Sequence, residues 1–310
     1  MRLLLLGCTG FIGQELVPRL IKAGHQLILV SRQAKPFVEK TLRTKQIEII
    51  QLDPSNPEEW EDNLLIDSLT KSEGIINLAG EPIAEKRWSK EHCQIIENSR
   101  LNTTISLIKA MHQVKANTKV LVNGSAIGYY GSSENKKFTE ENPPGKDFLA
   151  RLCQKWEASA LQKPQTTRLV NIRIGIVLGP NGGALKKMIP IFRMGLGGPI
   201  GNGQQWMSWI HRTDICKIIE NALINSSWEG SINCVSPEPT KMYQFASKLG
   251  SCMGRPSILR VPESILKLIL GDGAKVVLEG QYVESNKLQK LGYKFEYPNL
   301  SKALAVATLK

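Results

Sequence analysis

Three glycines at regular spacing carry the clearest chemistry in this sequence. They lie in Gly7-Cys8-Thr9-Gly10-Phe11-Ile12-Gly13, between an apolar run at Leu3–Leu6 and a stripe at Leu16, Val17, Leu20 and Ile21. A glycine turn between a strand and a helix lets bare N–H groups approach a pyrophosphate, with the positive helix end aimed at the same charge. Gly7, Thr9, Gly10, Phe11, Ile12 and Gly13 are therefore the first candidate cofactor residues; an ordinary tight turn is the alternative. The next strand ends in Ser31-Arg32, where a dinucleotide site without a 2′-phosphate usually carries an acid. A hydroxyl and a cation suit the additional phosphate of NADP; a plain surface arginine is the alternative. Asp53 closes the third strand, either near the adenine edge or as a turn former before Pro54. Leu78-Ala79-Gly80 closes the fourth with residues small enough for a cofactor to cross.

Other chemical signatures fail. Gly145-Lys146 is followed by Asp147, so it is not a P-loop, and Gly124-Ser125 lacks the spacing of a hydrolase elbow. No pair of histidines stands at metal-ligand spacing, so no metal site is expected; His211, before Asp214, is the best histidine candidate. The six cysteines form no C-x-x-C pair and fit neither a zinc site nor a disulfide framework, which suits a reducing cytoplasm. Leu5-Leu6-Gly7-Cys8 imitates a lipoprotein cleavage site, but the stretch before it is too short for a secretory signal.

The elements that must position these residues alternate. Strands are expected at Leu3–Leu6, Leu27–Val30, Ile47–Leu52, Gly74–Leu78, Val120–Val122 and Leu169–Val177, with helices at Gly13–Ala23, Asn98–Met111 and Phe148–Leu161. That rhythm predicts an α/β fold, a Rossmann-type doubly wound parallel sheet. After Pro180 the texture becomes richer in glycine and proline. The expected division is a cofactor-binding domain over 1–180, joined by 206–230, and a smaller substrate lobe from 181–205 and 231–310. With 310 residues, 42% of them hydrophobic, a packed core is expected, and no apolar run is long enough to cross a bilayer. The net charge of +12 is dispersed, with mild clusters at Lys35–Lys45 and Lys186–Lys187; without interleaved aromatics it gives little support for nucleic-acid binding.

Taken together the motifs resemble an extended-type short-chain dehydrogenase/reductase, more narrowly its atypical epimerase-like group. The resemblance runs through Gly7–Gly13, Asn77–Ile83, Arg87-Trp88, Asn98-Ser99-Arg100, Gly124–Gly131, Trp156-Glu157, Arg173 to Pro180, Gly195–Gly201 and Trp209-Ile210-His211. It implies an NADP-type cofactor, with Arg173 among the cofactor-binding residues. It also implies a Tyr-x-x-x-Lys pair on the Phe148–Leu161 helix, whose tyrosine exchanges a proton with substrate while the lysine lowers its pKa. Here Leu149 and Cys153 occupy those positions, and Ala126 stands at the usual Ser/Thr. Substitutes near the carboxyl edge are Ser125, Tyr129 and Arg100, with Tyr130, Glu81 and Arg87 close by. Arg100 stands where such proteins usually carry an asparagine.

Two functions follow as expectations. One is an NADP-dependent oxidoreductase or epimerase-like enzyme on a small polar substrate, lacking the usual pair. The other is a non-catalytic NADP-binding regulator or scaffold acting through a protein partner, since some members of the group are called cell-division inhibitors. Members often form homodimers through two helices, here Asn98–Met111 and Phe148–Leu161. Leu101, Ile105, Ile108 and Leu152 suit such a seam or the sheet equally.

Overall fold

Leu3–Leu6 is buried on every residue because its strand is covered on both sides. Leu3 and Leu5 point into one core and Leu4 and Leu6 into another. The computed structural model describes residues 1–33 and 45–308. Apart from Lys45, the Lys35–Lys45 cluster lies outside them. In chain order the strands are β1 (Arg2–Leu6), β2 (Gln26–Ser31), β3 (Ile47–Gln51), β4 (Gly74–Asn77), β5 (Val120–Ala126), β6 (Ser133–Phe138), β7 (Arg168–Ile174), β8 (Ile176–Leu178), β9 (Trp206–Met207), β10 (Trp209–His211), β11 (Gly230–Cys234), β12 (Thr240–Lys241) and β13 (Gln281–Val283). Seven of them form one parallel sheet in the order β11-β7-β5-β4-β1-β2-β3. The expected doubly wound fold is present. Its direction of winding reverses between β1 and β4, the place where such sheets open a crevice for ligands.

Helices Gly13–Lys22 and Arg212–Ile224 cover one face through Leu16, Val17, Leu20, Ile215, Ile219 and Leu223. Asn63–Thr70, Lys90–Gln113 and Phe148–Leu161 cover the other through Leu65, Leu69, Leu107, Met111 and Ala160. A separate core, built on Trp209, Phe245, Met242, Leu249 and Leu304, supports the C-terminal part. Two boundaries differ from the sequence reading. The strand expected over Leu169–Val177 is two strands, because Gly175 lies against another backbone: a Cβ there would sit 2.6 Å from the Ser208 carbonyl. The chain leaves the main sheet at that point and pairs β8 with β10. The main sheet also takes in β11, which runs to Cys234 and past the boundary drawn at 230.

At the helix pair considered for a dimer seam, Ile108 and Leu152 are buried inside the protein, Leu101 is half-buried and Ile105 is exposed. Among the described residues no helix is long and apolar enough to cross a membrane.

A polar row crosses the middle of the sheet near its carboxyl edge. Asn77 and Asn123 pair in register, as do Asn123 and Asn171. Asn77 donates to Asn123 (3.0 Å) and to Thr104 (2.9 Å), Asn123 donates to Asn171 (3.1 Å), and the Trp156 indole donates to Thr104 (3.0 Å). Buried amides are tolerated because each finds a partner. Asn123→Leu keeps the branched outline of the side chain and removes the middle of the row. It should lower unfolding stability by about 2 kcal/mol, read from urea denaturation; an unchanged midpoint would show the row to be dispensable.

Candidate functional site

The glycine loop is built by close approach. Gly7 has φ +71°, and any Cβ on it would run into the backbone of Leu78 and Ala79, so the loops after β1 and β4 are pressed together. Gly13 lies against the Cys8 carbonyl, so the helix starts tight on the turn. Gly10 is different: a Cβ there would meet only the Gly7 carbonyl at 3.7 Å, and the residue is exposed. Among the described residues the N–H groups of Phe11, Ile12 and Gly13 find no intramolecular acceptor. The result is an open cradle of unpaired donors at a helix start, which fits a pyrophosphate. The Phe11 ring is clamped from outside by Gly179, Gly182 and Gly183 and by Arg212, whose guanidinium lies 4.6 Å from the ring centre. Arg212 also pairs with Glu15 of the first helical turn (3.0 Å).

The other cofactor candidates lie along the same edge. Ser31 is buried and its hydroxyl accepts from the Gln33 amide (3.0 Å), while Arg32 is exposed with no partner among the described residues. Asp53 accepts from the amide and hydroxyl of Ser55 through one carboxylate oxygen. Leu78, Ala79 and Gly80 line a cleft of about 970 Å³ that opens beyond β4 and β5. The cleft continues over Ser125 to Gly128, Leu149, Arg151 to Cys153 and Ile174 to Ile176, and is bordered by Trp206, Ser208, Asp272, Lys275, Val276 and Glu279 to Gln281. Its inner walls are apolar, with Trp88, Phe148, Leu149 and Leu152 facing in.

Leu149 and Cys153 both line this cleft, at the places the resemblance assigns to the proton-transferring pair. Neither replaces it. Leucine has no proton to move, and burial pushes the Cys153 thiol up to about 12, so it stays neutral and inert. Of the substitutes, Ser125 and Arg100 line the cleft. Tyr129 is not among the lining residues; its ring is covered by the Arg173 guanidinium at 3.6 Å. Tyr130 is buried and bonded to Asn233 (2.7 Å) and Arg173 (2.8 Å), and its hydroxyl is pushed up to about 12, chiefly by desolvation.

Arg173, expected at the cofactor, points elsewhere. Its guanidinium makes a forked pair with Glu157 (both contacts 2.8 Å), and its remaining bond goes to Tyr130. Glu157 also accepts from Ser125 (2.6 Å) and Ser231 (3.1 Å). Arg173 lies in register with Ser125 on one side and Asn233 on the other, so cross-strand pairing assembles this knot. Burial alone would lower the Arg173 pKa, but the Glu157 pairing wins and holds it above the ordinary arginine value. Sequence reasoning used Glu157 only as a motif anchor and missed the knot and the asparagine row, because both depend on strand register. His211, the favoured histidine, is buried as the N-cap of the Arg212–Ile224 helix, its Nδ1 accepting from the Thr213 amide (3.2 Å) and its ring against Tyr297. Desolvation lowers its pKa, and it is not among the cleft residues. Glu81 pairs with Lys86 (3.8 Å), and Arg87 donates to the Leu268 carbonyl (2.6 Å).

Residues 3–233 match the NAD-dependent epimerase/dehydratase family. The chain belongs to this family. Residues 261–307 match a second family model described only as a domain of unknown function. The chloroplastic SDR39U1 homolog of Arabidopsis thaliana, an epimerase family protein, is 42% identical over 300 residues, covering 96% of this chain and 84% of that protein. The crystal structure of human epimerase family protein SDR39U1 (isoform 2) with NADPH is 34% identical, has a TM-score of 0.88 and is covered, like this chain, over 99% of its length. The nucleoside-diphosphate sugar epimerase of Corynebacterium glutamicum is 25% identical with a TM-score of 0.77, over 99% of this chain and 58% of that one.

The Arg173–Glu157 pair is 4% and 11% exposed, so breaking it leaves a desolvated guanidinium without its counter-charge. Glu157→Ala should cost about 3–5 kcal/mol of stability. Equilibrium unfolding in urea measures this, and a loss below about 1 kcal/mol, the range of an exposed pair, would refute the assignment.

Proposed function

We propose that this protein binds NADP(H) across the crevice between β1 and β4 and acts as an oxidoreductase of the epimerase-like kind without a Tyr-x-x-x-Lys pair. One observation carries the reading: Gly10 presents an open side while Gly7 and Gly13 are closed off by the chain's own backbone. Glycines packed against protein are needed by the fold; a glycine facing open space beside unpaired amides is explained by a ligand. The human relative crystallised with NADPH supports the same choice.

In this reading the amides of Phe11, Ile12 and Gly13 hold the pyrophosphate, and Arg32 with Ser31 meets the 2′-phosphate. Asp53 stands at the adenine edge. Leu78 to Gly80 pass under the ribose and direct the nicotinamide into the cleft. The bound cofactor supplies hydride chemistry at the cleft's inner end. The protein holds a substrate there between apolar walls, with Ser125 and Arg100 as its polar contacts. Arg173 and Tyr129 act from behind, by fixing Glu157 and so the Ser125 hydroxyl. A second reading, a regulator that uses the dinucleotide without turnover, draws on the same Leu149 and Cys153 and is separated from the first by a substrate screen.

Cofactor fluorescence tests the first step. NADPH should bind at least tenfold more tightly than NADH, and Arg32→Glu should abolish the difference, since it places a carboxylate where the phosphate sits. Equal affinities in the unaltered protein would remove Arg32 from the site.

A further inference from the structure

The cleft is lined by charges of both signs, Lys90, Arg151 and Lys275 with Asp147, Asp272 and Glu279, but Ser125, Leu149 and Cys153 supply it no acid. Ser125 commits its proton to Glu157 at 2.6 Å, and Glu157 is itself held by the Arg173 fork. A carboxylate so paired only accepts, so Ser125 turns lone pairs, not its proton, towards the cleft. Leu149 and Cys153 supply no proton either. Arg100 differs from these three in bringing a positive charge to the cleft. Its guanidinium lies under Gly80, where a Cβ would be 2.8 Å from its Cζ, and 5.4 Å from the Trp156 ring centre. Among the described residues its hydrogen bonds go to two main-chain carbonyls, Ile96 (2.9 Å) and Glu81 (3.0 Å), and it makes no ion pair. Donors beyond those two remain. Burial weakens its hold on its charge, so a negative group beside it gains more than in water.

We propose that Arg100 binds the oxyanion of a conjugated carbonyl substrate, a quinone or an enone, whose reduced oxygen is stable enough as an anion to need no acid from the protein. This rests on the reading of the cleft as an NADP(H)-dependent site. The substrate accepts a hydride, and with it two electrons, from reduced nicotinamide, which is left oxidised. The new negative charge spreads through the conjugated system and ends on the oxygen beside Arg100. Water then delivers the proton that completes the reduced product. An isolated aldehyde or ketone would become an alkoxide, far more basic, which Ser125, Leu149 and Cys153 cannot neutralise. Trp88, Phe148, Leu149 and Leu152 suit a flat apolar ring, whereas sugar hydroxyls enclosed there would each need a partner. The substrate is thus less polar than the sequence alone suggested.

A nitrophenol, whose ionised form absorbs visible light, serves as a stable copy of the product anion. Titrated with the unaltered protein, with and without NADP, it should bind mainly as the phenolate, so that its apparent pKa falls on binding. Arg100→Met should erase that fall and weaken phenolate binding at least tenfold, and Arg100→Lys should retain part of it. Equal binding of the neutral and ionised forms by the unaltered protein would overturn the proposal, whether or not the variants fold. Turnover gives the second arm: a simple naphthoquinone should oxidise NADPH, with benzaldehyde and a UDP-sugar at least tenfold slower. Turnover of the aldehyde or the sugar with an inert quinone would overturn the substrate class while leaving NADP binding intact. Failure of NADPH to bind would instead defeat the reading beneath it, and the nitrophenol titration without cofactor would still report on Arg100.

Discussion

The loops after β1 and β4 touch main chain to main chain, and that contact exists because residue 7 has no side chain. It closes the bottom of the crevice at the point where the sheet reverses its winding. Above the contact, the amides of Phe11, Ile12 and Gly13 are left without an acceptor among the described residues where the helix begins. Beside it, Leu78, Ala79 and Gly80 line the cleft together with Ile12 of the glycine loop. A larger residue at position 7 would part the two strands' ends and remove loop, floor and cleft together.

The cleft's polarity is set by a second arrangement one strand away. Register brings Ser125, Arg173 and Asn233 side by side, and Glu157 descends from the Phe148–Leu161 helix to join them. Because the carboxylate takes the serine proton, the arginine fork and the Ser231 hydroxyl, this cluster is neutral as a unit and directs no charge at a substrate. Arg100 also lines the cleft, with Lys90, Arg151 and Lys275 as further cations of its lining. The helix to which the resemblance assigns a tyrosine and a lysine carries Leu149 and Cys153 in the cleft wall and Glu157 beneath Ser125.

Much of this was legible in the sequence. The glycine loop, the strand rhythm and the damaged pair at Leu149 and Cys153 all show as local patterns, because each depends on neighbours within a turn or a strand. Ser125 was recognisable from its place near the carboxyl end of β5, and Arg100 from the position that the resemblance picked out on its helix. The roles of Tyr129, Arg173 and His211 were not legible. Arg173 in sequence is a cation at the end of a strand, indistinguishable from one reaching a phosphate; its partner Glu157 is 16 residues away on another element. His211 before Asp214 has the look of a catalytic pair, yet its ring caps a helix and its neighbour binds the amides of Glu296 and Tyr297. The break at Gly175 and the strand at β11 escaped for the same reason, since both are decided by which distant backbone arrives alongside.

If the protein binds NADP(H) as proposed, the open side of Gly10 is space for the dinucleotide. Gly10→Val tests it directly, because the Cβ it adds meets only one atom of the protein, at 3.7 Å. Calorimetric titration with NADPH, set beside thermal melting of the same samples, separates the two effects. The account predicts a melting temperature close to that of the unaltered protein and loss of most of the NADPH affinity. A variant that melts normally and still binds NADPH with full strength would contradict it.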